Sequence, residues 1–276
     1  MVESNPAPHA FDAIAPRYDA SFTDQQLGRW LREVVWREFE RAFQPGDTLL
    51  DLGCGTGEDA CFLAGRGARI VATDASDGML DVARRKADES RLPGQISFAQ
   101  LDLLDLTKNR LPVVLAESRG TLAGAYANFG PLNCLSDRQP LSSAVAQLIR
   151  PGGTFIAVVM GPLCPWEIAW YLLHRHPRTA VRRLRSGVRS HVGDGVVSVW
   201  YPSPRRLRAE FAPDFEHVKT LGVGVFLPPS DLGHLIPHAP RLFAAVNALD
   251  DRLRSTFPFT WLNDHYLSIF KRREAG

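Results

Sequence analysis

The sequence predicts an α/β fold built on a mostly parallel sheet. Short apolar runs alternate with helical stretches in units of about 25 residues, the pattern of strands joined by crossover helices. A glycine-rich turn links the first apolar run directly to the helix after it. After the fifth strand the alternation stops, and two longer segments interrupt it.

The elements follow in order. The opening stretch through Ala20, rich in Pro and Ala, reads as irregular. Thr23 and Gln26 have the spacing of a capping box, and Leu27, Trp30, Leu31, Val34, Val35 and Phe39 recur on one helical face until Pro45-Gly46. TLLDLG from residue 48, ARIVATD and QISFAQLD are strands, with helices from about Glu58 and from Ser76 between them. LAGAYAN (122–128) and GTFIAVV (153–159) are strands four and five, residues 136–149 form the helix between them, and Pro151-Gly152-Gly153 a turn. Residues 160–190 read as an inserted helical piece. VVSVWYP reads as an extra strand, Arg205 to Phe211 as a helix, His217 to Phe226 as a strand, 227–264 as a second insertion, and His265 to Phe270 as the last strand.

Composition narrows the function. At 276 residues the chain can bury a core without disulfides or metals. Its 32 basic and 30 acidic residues produce no global field to gather nucleic acid, so no nucleic-acid partner is expected. Cys54, Cys61, Cys134 and Cys164 lack metal-site spacing, which leaves four reduced thiols and no expected metal. The start has no basic segment followed by an apolar one, and no apolar run is long enough to span a bilayer, so the expectation is a cytoplasmic protein.

The chemistry concentrates in Leu49-Leu50-Asp51-Leu52-Gly53-Cys54-Gly55-Thr56-Gly57, a buried strand running into a glycine turn and a helix. Glycines allow positive φ and close approach of a ligand to the backbone. Asp74 ends the second strand, where a carboxylate can accept from both hydroxyls of a ribose, and Asp102 follows the third. A dinucleotide would set its pyrophosphate against Asp51 and Glu58, which repel it, and Glu58 stands where the dinucleotide fingerprint needs its third glycine. A cationic sulfonium cofactor suits a site ringed by Asp51, Asp74 and Asp102.

LLDLGCGTGEDA, VATDASDGMLDVARRKA, LDLLDL, YANFGPLN and LIRPGGTFIAVV, over residues 48–160, resemble the successive motifs of class I S-adenosylmethionine-dependent methyltransferases. The resemblance implies a Rossmann-like fold of seven strands with an antiparallel last strand and helical cap insertions. It also implies S-adenosyl-L-methionine as cofactor. Asp51, Gly53 and Gly55 would lie along its methionine part and Asp74 would hold the ribose. Met79 or Ala75 would pack on the adenine, Asp102 and the Leu103 backbone would reach its edge, and Asn128 would face the ammonium. PHAFDAIAPRYDASF is similar to the start of ubiquinone- and menaquinone-biosynthesis-type methyltransferases, in which Tyr18 would fold over the cofactor. A terminal arm docked only for packing stays open beside that reading.

The organisation expected is an N-terminal arm and helix (1–47), a cofactor-binding core (48–160), caps at 161–190 and 227–264, and the rest of the sheet at 191–226 and 265–276. Asn128-Phe129-Gly130-Pro131 is not the motif of nucleobase amine methylation, which leaves a small-molecule acceptor. Both insertions leave the carboxyl edge of the sheet, where ligands bind in such folds. Their aromatic residues are enough for a hydrophobic or amphiphilic acceptor pocket, with Phe129, Trp166 and Tyr171 as candidate contacts. Arg175, Arg178, Arg182, Arg183, Arg185 and Arg189 leave three readings open: a solvated face, an anion site, or contact with an anionic membrane surface. His265, at the start of the last strand, is the candidate general base; its neighbour Asp264 is expected on the opposite face. Aminopropyl transfer and non-catalytic cofactor binding are the alternative functions.

Overall fold

The structure is a computed structural model that describes residues 7–92, 94–108, 113–116, 118–193 and 195–274. The first six residues of the expected arm lie outside them. Strand β1 (Thr48–Leu52) lies mid-sheet between β2 (Arg69–Asp74) and β4 (Leu122–Ala127), and β3 (Ile96–Gln100) forms one edge. Beyond β4 come β5 (Ile149–Met160), then β9 (His265–Arg272), then β8 (Phe215–Val223) at the other edge. Pairing from β3 through β5 is parallel, while β9 runs antiparallel to both its neighbours. The expected seven-stranded sheet is thus present, with its antiparallel strand second from the edge.

Alternation along each strand fills two cores. Leu49 and Tyr126 face one side, under α2 (Gln26–Ala42) and α3 (Glu58–Ala64). Leu50, Leu52 and Ala125 face the other, under α7 (Gln139–Leu148) and α10 (Pro204–Phe211). The remaining helices are α1 (Ala7–Tyr18), α4 (Asp77–Glu89), α5 (Leu103–Thr107), α6 (Val113–Ala116), α8 (Pro165–Leu173), α9 (Pro177–Ala180) and α11 (Pro240–Leu253). The carboxyl edge of the parallel strands gathers Leu52, Asp74, Gln100, Ala127 and Met160. His265, paired with Met160, enters the sheet there.

The structure corrects several expectations. The opening stretch is helical, not irregular: α1 runs into a π-helical turn over Asp19–Thr23. Pro8 lies in its first turn, where a missing N–H has no helical partner to lose. The capping box is absent, because Thr23 belongs to that turn and the residue preceding α2 is Gln25, in an extended conformation. Pro151-Gly152-Gly153 does not end a strand but lies inside β5, at an irregularity in its register with β4. The extra strand exists as β7 (Gly195–Val199), but it pairs with β6 (Val188–Val192) in a separate hairpin. That hairpin packs its valines with Ala10 and Phe11 of α1, so the 191–226 segment joins the main sheet only from Phe215.

Candidate active site

The site grows from the end of β1. Gly53, Gly55 and Gly57 all have positive φ, at 76°, 53° and 77°. A Cβ on Gly53 would come within 2.3 Å of Pro131, and one on Gly57 within 2.8 Å of Ala83, so these two glycines let the turn pack. A Cβ on Gly55 would meet nothing within 4 Å, so that face of the turn is open to a ligand. Asp74 braces the turn, its two oxygens accepting from the Gly55 and Ser76 N–H groups at 2.9 Å each. Burial raises the Asp74 pKa, opposed by those donors. Ser76 caps α4 by accepting from the Met79 N–H; Met79 is buried, and the carbonyl of half-buried Ala75 accepts from Gln100 Nε2 at 3.2 Å. Asp102 caps α5 by accepting from the Leu104 N–H, with Leu103 packed against the second core.

Beside the turn lies a buried polar cluster that the sequence reading missed in part. Asp59, in the first turn of α3, accepts from Trp36 Nε1 (2.8 Å) and Asn128 Nδ2 (2.9 Å) and pairs with Arg32 at 2.9 Å. Asn128 therefore turns its amide nitrogen to Asp59 and keeps Oδ1 buried without a partner. Asp51 Oδ2 likewise accepts no aligned hydrogen bond, although the buried Tyr126 hydroxyl, also without an aligned partner, is close enough to lower its pKa. Burial pushes the Asp51 pKa well up, reinforced by the charges of Asp59 and Asp74. Two buried acceptors that accept no aligned hydrogen bond, beside an open glycine face and Asp74, match the chemistry of a ligand carrying an ammonium, a sulfonium and a ribose; S-adenosylmethionine fits these residues.

The N-terminal arm is tied to this site by carboxylates. Asp12 accepts from Ser76 Oγ (2.5 Å) and the Gly78 N–H (2.9 Å) at the start of α4. Asp19 accepts from Thr56 Oγ1 at 2.6 Å and pairs with Lys86 at 2.8 Å, and Lys86 also holds Glu58. Tyr18 lies between these anchors. Burial raises its hydroxyl pKa against the pull of Arg32, with Asp74 and Asp59 among the charges that act on it.

At the sheet's carboxyl edge Phe129 has φ 57°, a strained value for a bulky residue. Its ring meets Phe22 edge-on at 5.7 Å and His265 at 5.4 Å, with Arg32 over it at 5.3 Å. His265 is buried, and its Nδ1 lies 3.0 Å from Asp264 Oδ2. The expectation of opposite faces fails because Asp264 precedes β9, so strand alternation does not govern the pair. The two insertions meet over a cavity of about 510 Å³ lined by Pro165, Trp166, Ala169, Val225, Phe226, Phe259 and Leu262. Trp166 is anchored by donating to the Phe226 carbonyl at 2.6 Å. Tyr171 is not among the lining residues; Arg182 lies over its ring at 5.8 Å. Arg182 and Arg183 leave the arginine run to bind buried Glu167; Arg183 is itself buried, and partly exposed Arg182 also reaches Asp231, so both are taken up by the protein's own carboxylates. His191 and His234 are exposed.

Fold and site together define a nucleotide-type cofactor site of the methyltransferase kind, and similarity to known proteins agrees. A family model described as a methyltransferase domain matches residues 49–153. The demethylmenaquinone methyltransferase of Thermus thermophilus is 31% identical over 170 residues, 60% of this chain and 70% of that protein. That of Symbiobacterium thermophilum is 33% identical over 154 residues, 54% of this chain and 56% of that protein. The chain spans about half the length of this and other curated relatives it matches. In fold, it aligns with a Haloferax volcanii methyltransferase complexed with the Trm112 methyltransferase activator. The TM-score is 0.60, with 17% identity and 98% of both chains covered. The chain belongs to the class I S-adenosylmethionine-dependent methyltransferases.

Proposed function

We propose that this protein transfers the methyl group of S-adenosylmethionine to a small hydrophobic or amphiphilic acceptor. The observation that carries the reading is the pair of buried acceptors, Asp51 Oδ2 and Asn128 Oδ1, that accept no aligned hydrogen bond beside the open face of Gly55. When bound, S-adenosylmethionine supplies an electrophilic methyl on a cationic sulfur. Asp51, Gly53, Gly55 and Asn128 hold its methionine part, Asp74 the ribose, Ala75, Met79, Asp102 and Leu103 the adenine, and Tyr18 closes the site from the arm. The apolar cavity behind Trp166 receives the acceptor, with Phe129 between the two ligands, so transfer gains from alignment and exclusion of water. Family membership favours methyl over aminopropyl transfer, and the intact donor set argues against a degenerate site.

The test is incubation of the protein and S-adenosylmethionine with cell extract. A product heavier by one methylene, absent with Asp74→Ala, is expected; cofactor binding with no product in any extract would leave a binding protein. Four free thiols suit a reducing compartment, in line with a cytoplasmic protein. No helix among the described residues is long and apolar enough to cross a membrane. Approach to an anionic membrane surface is supported by exposed Leu172, Leu173 and Leu184 alongside Arg175, Arg178, Arg185 and Arg189, which have no acidic partner among the described residues. Sedimentation with phosphatidylglycerol vesicles but not phosphatidylcholine vesicles is expected, and sedimentation with neither would remove the membrane from the reading.

A further inference from the structure

The cap segment 160–190 does more than roof the cavity: it delivers a buried charge chain to the edge of the cofactor site. Glu167, on α8, is 1% exposed and accepts from Arg182 Nε at 2.7 Å and Arg183 Nε at 2.8 Å. Arg183 then donates through Nη2 to Asp264 Oδ1 (2.6 Å) and through Nη1 to the Asp264 backbone carbonyl (2.9 Å). One guanidinium therefore fixes both the side chain and the main chain of Asp264, the fork geometry that lysine cannot supply. The other carboxylate oxygen, Oδ2, lies 3.0 Å from His265 Nδ1. The contact is not aligned as a hydrogen bond, and neither atom has another partner, so a small rotation of the ring satisfies both buried atoms at once.

We propose that Asp264 and His265 form a positioned acid–base dyad whose substrate is a hydroxyl on an unsaturated carbon, a phenol or enol. The proposal rests on the methyl-transfer reading and names its acceptor. Asp264 holds the proton of His265 on Nδ1, which leaves the Nε2 lone pair as the base. Nε2 has no protein partner among the described residues, and the ring stands 5.4 Å from Phe129, at the end of β4 beside Asn128. On the other side, Val223 pairs with His265 across β8 and β9, and Val225 and Leu262, close by in the chain, line the apolar cavity. His265 thus touches Phe129 beside the cofactor residues and lies, without lining the cavity, on the strand pair that leads into the segments lining it. The acceptor's O–H proton passes to Nε2 as its oxygen lone pair bonds the methyl carbon. The S–CH₃ bond breaks with its electrons left on sulfur, and the imidazolium later returns the proton to water. A hydroxyl gains from such a base, whereas a thiolate or amine needs only alignment. Asp264 and Arg183 are positioning residues here; His265 is the catalytic one.

The experiment uses the full chain saturated with S-adenosylhomocysteine, its binding checked by calorimetry. In ¹⁵N-histidine-labelled protein, the signal lost in His265→Gln identifies His265, and the neutral ring is expected protonated at Nδ1 in the wild type. Asp264→Asn should abolish that preference. The second readout is 4-nitrophenol, whose phenolate absorbs to the red of the phenol: wild type should raise the phenolate fraction at least threefold over buffer at the same pH, and His265→Gln should not. A neutral ring protonated at Nε2, or wild type and His265→Gln showing the same phenolate fraction, overturns the dyad. Failure of the wild type to bind S-adenosylhomocysteine instead overturns the methyl-transfer reading on which it stands.

Discussion

Asp51 and Asp264 are both about 2% exposed and both at the carboxyl edge of the sheet, yet their surroundings pull them in opposite directions. Around Asp51 burial and the carboxylates Asp59 and Asp74 push its pKa well up, outweighing the Tyr126 hydroxyl and Arg32, which pull it down. At Asp264 burial also opposes ionisation, but His265 and Arg183 outweigh it and hold the carboxyl well below the usual range. The cap neutralises Asp264 with a cation in contact; at the glycine loop Arg32 pairs with Asp59 and Lys86 with Glu58 and Asp19, so among the described residues Asp51 has no cation in contact. An uncompensated buried carboxylate destabilises the empty protein and stabilises a complex with a cation, which is the electrostatic form of a binding site.

The largest test of that contrast is Arg183→Ala. It takes a buried cation from between Glu167, which keeps Arg182, and Asp264, which keeps only His265, and removing one partner from such a network costs about 3–5 kcal/mol. Urea denaturation should show that loss, and a loss under about 1 kcal/mol would mean the cap charges are not mutually compensated. The pH dependence sharpens it. Asp264 has a depressed folded-state pKa, so its contribution is present above the ordinary carboxylate range and disappears as pH falls toward the folded value. Wild type and Asp264→Asn should therefore differ most at neutral pH and converge in strong acid.

On the cofactor side, Asp74→Ala should weaken S-adenosylmethionine binding by about 2–3 kcal/mol, through loss of a charge-assisted ribose contact. The structure adds a second effect: the variant also frees the Gly55 and Ser76 N–H groups, so the turn itself loosens. Calorimetry that finds unchanged affinity in folded protein would place the ribose elsewhere.

Asp51→Asn should move stability and binding in opposite directions. Because the folded-state pKa is raised, ionisation of Asp51 weighs against folding above the ordinary carboxylate pKa, and this is relieved as pH falls through the folded value. The amide removes the charge, so the unliganded protein should gain stability at pH 7 while cofactor affinity drops. Loss on both measures would show Asp51 to be a structural group and dissolve the contrast with Asp264.

The parallel core was legible because its strands, covered on both faces, read as unbroken apolar runs, and because Ser76 and Asp102 are capping residues that sit where they cap. The carboxylates of the glycine region could be found since Asp51, Asp74 and Asp102 each lie within two residues of a strand's carboxyl end. What could not be read was set by distant pairing. Asp59 is one residue past Glu58, but only the fold shows that it, and not Glu58, faces Arg32 and Asn128. Arg182 and Arg183 look like the other arginines of their run until Glu167, on the preceding helix, is seen beneath them. Asp12 carried no signal, since its partners lie 64 and 66 residues away.

The smallest effect belongs to the arm, which is held to the glycine region by a compensated pair of its own. Asp19 is half-buried; burial opposes its charge, but Lys86 and Thr56 lower its pKa overall. Lys86 is shared with Glu58, so one ammonium serves two carboxylates and the arm's link is the weaker for it. Asp19→Asn should therefore remove less than about 1 kcal/mol from global stability, since partly exposed pairs contribute little. Its effect should fall on the arm alone: limited proteolysis near residues 19–23 should quicken several-fold while the melting temperature barely moves. The same site should become more cleavable in wild type as pH drops below the ordinary carboxylate range, because a depressed pKa gives stability that acid removes. Saturation with S-adenosylhomocysteine should restore protection if Tyr18 closes over the cofactor. Protection that is unchanged by ligand would make the arm a packing element whose compensated charge, like that of Asp264, serves the protein's own structure.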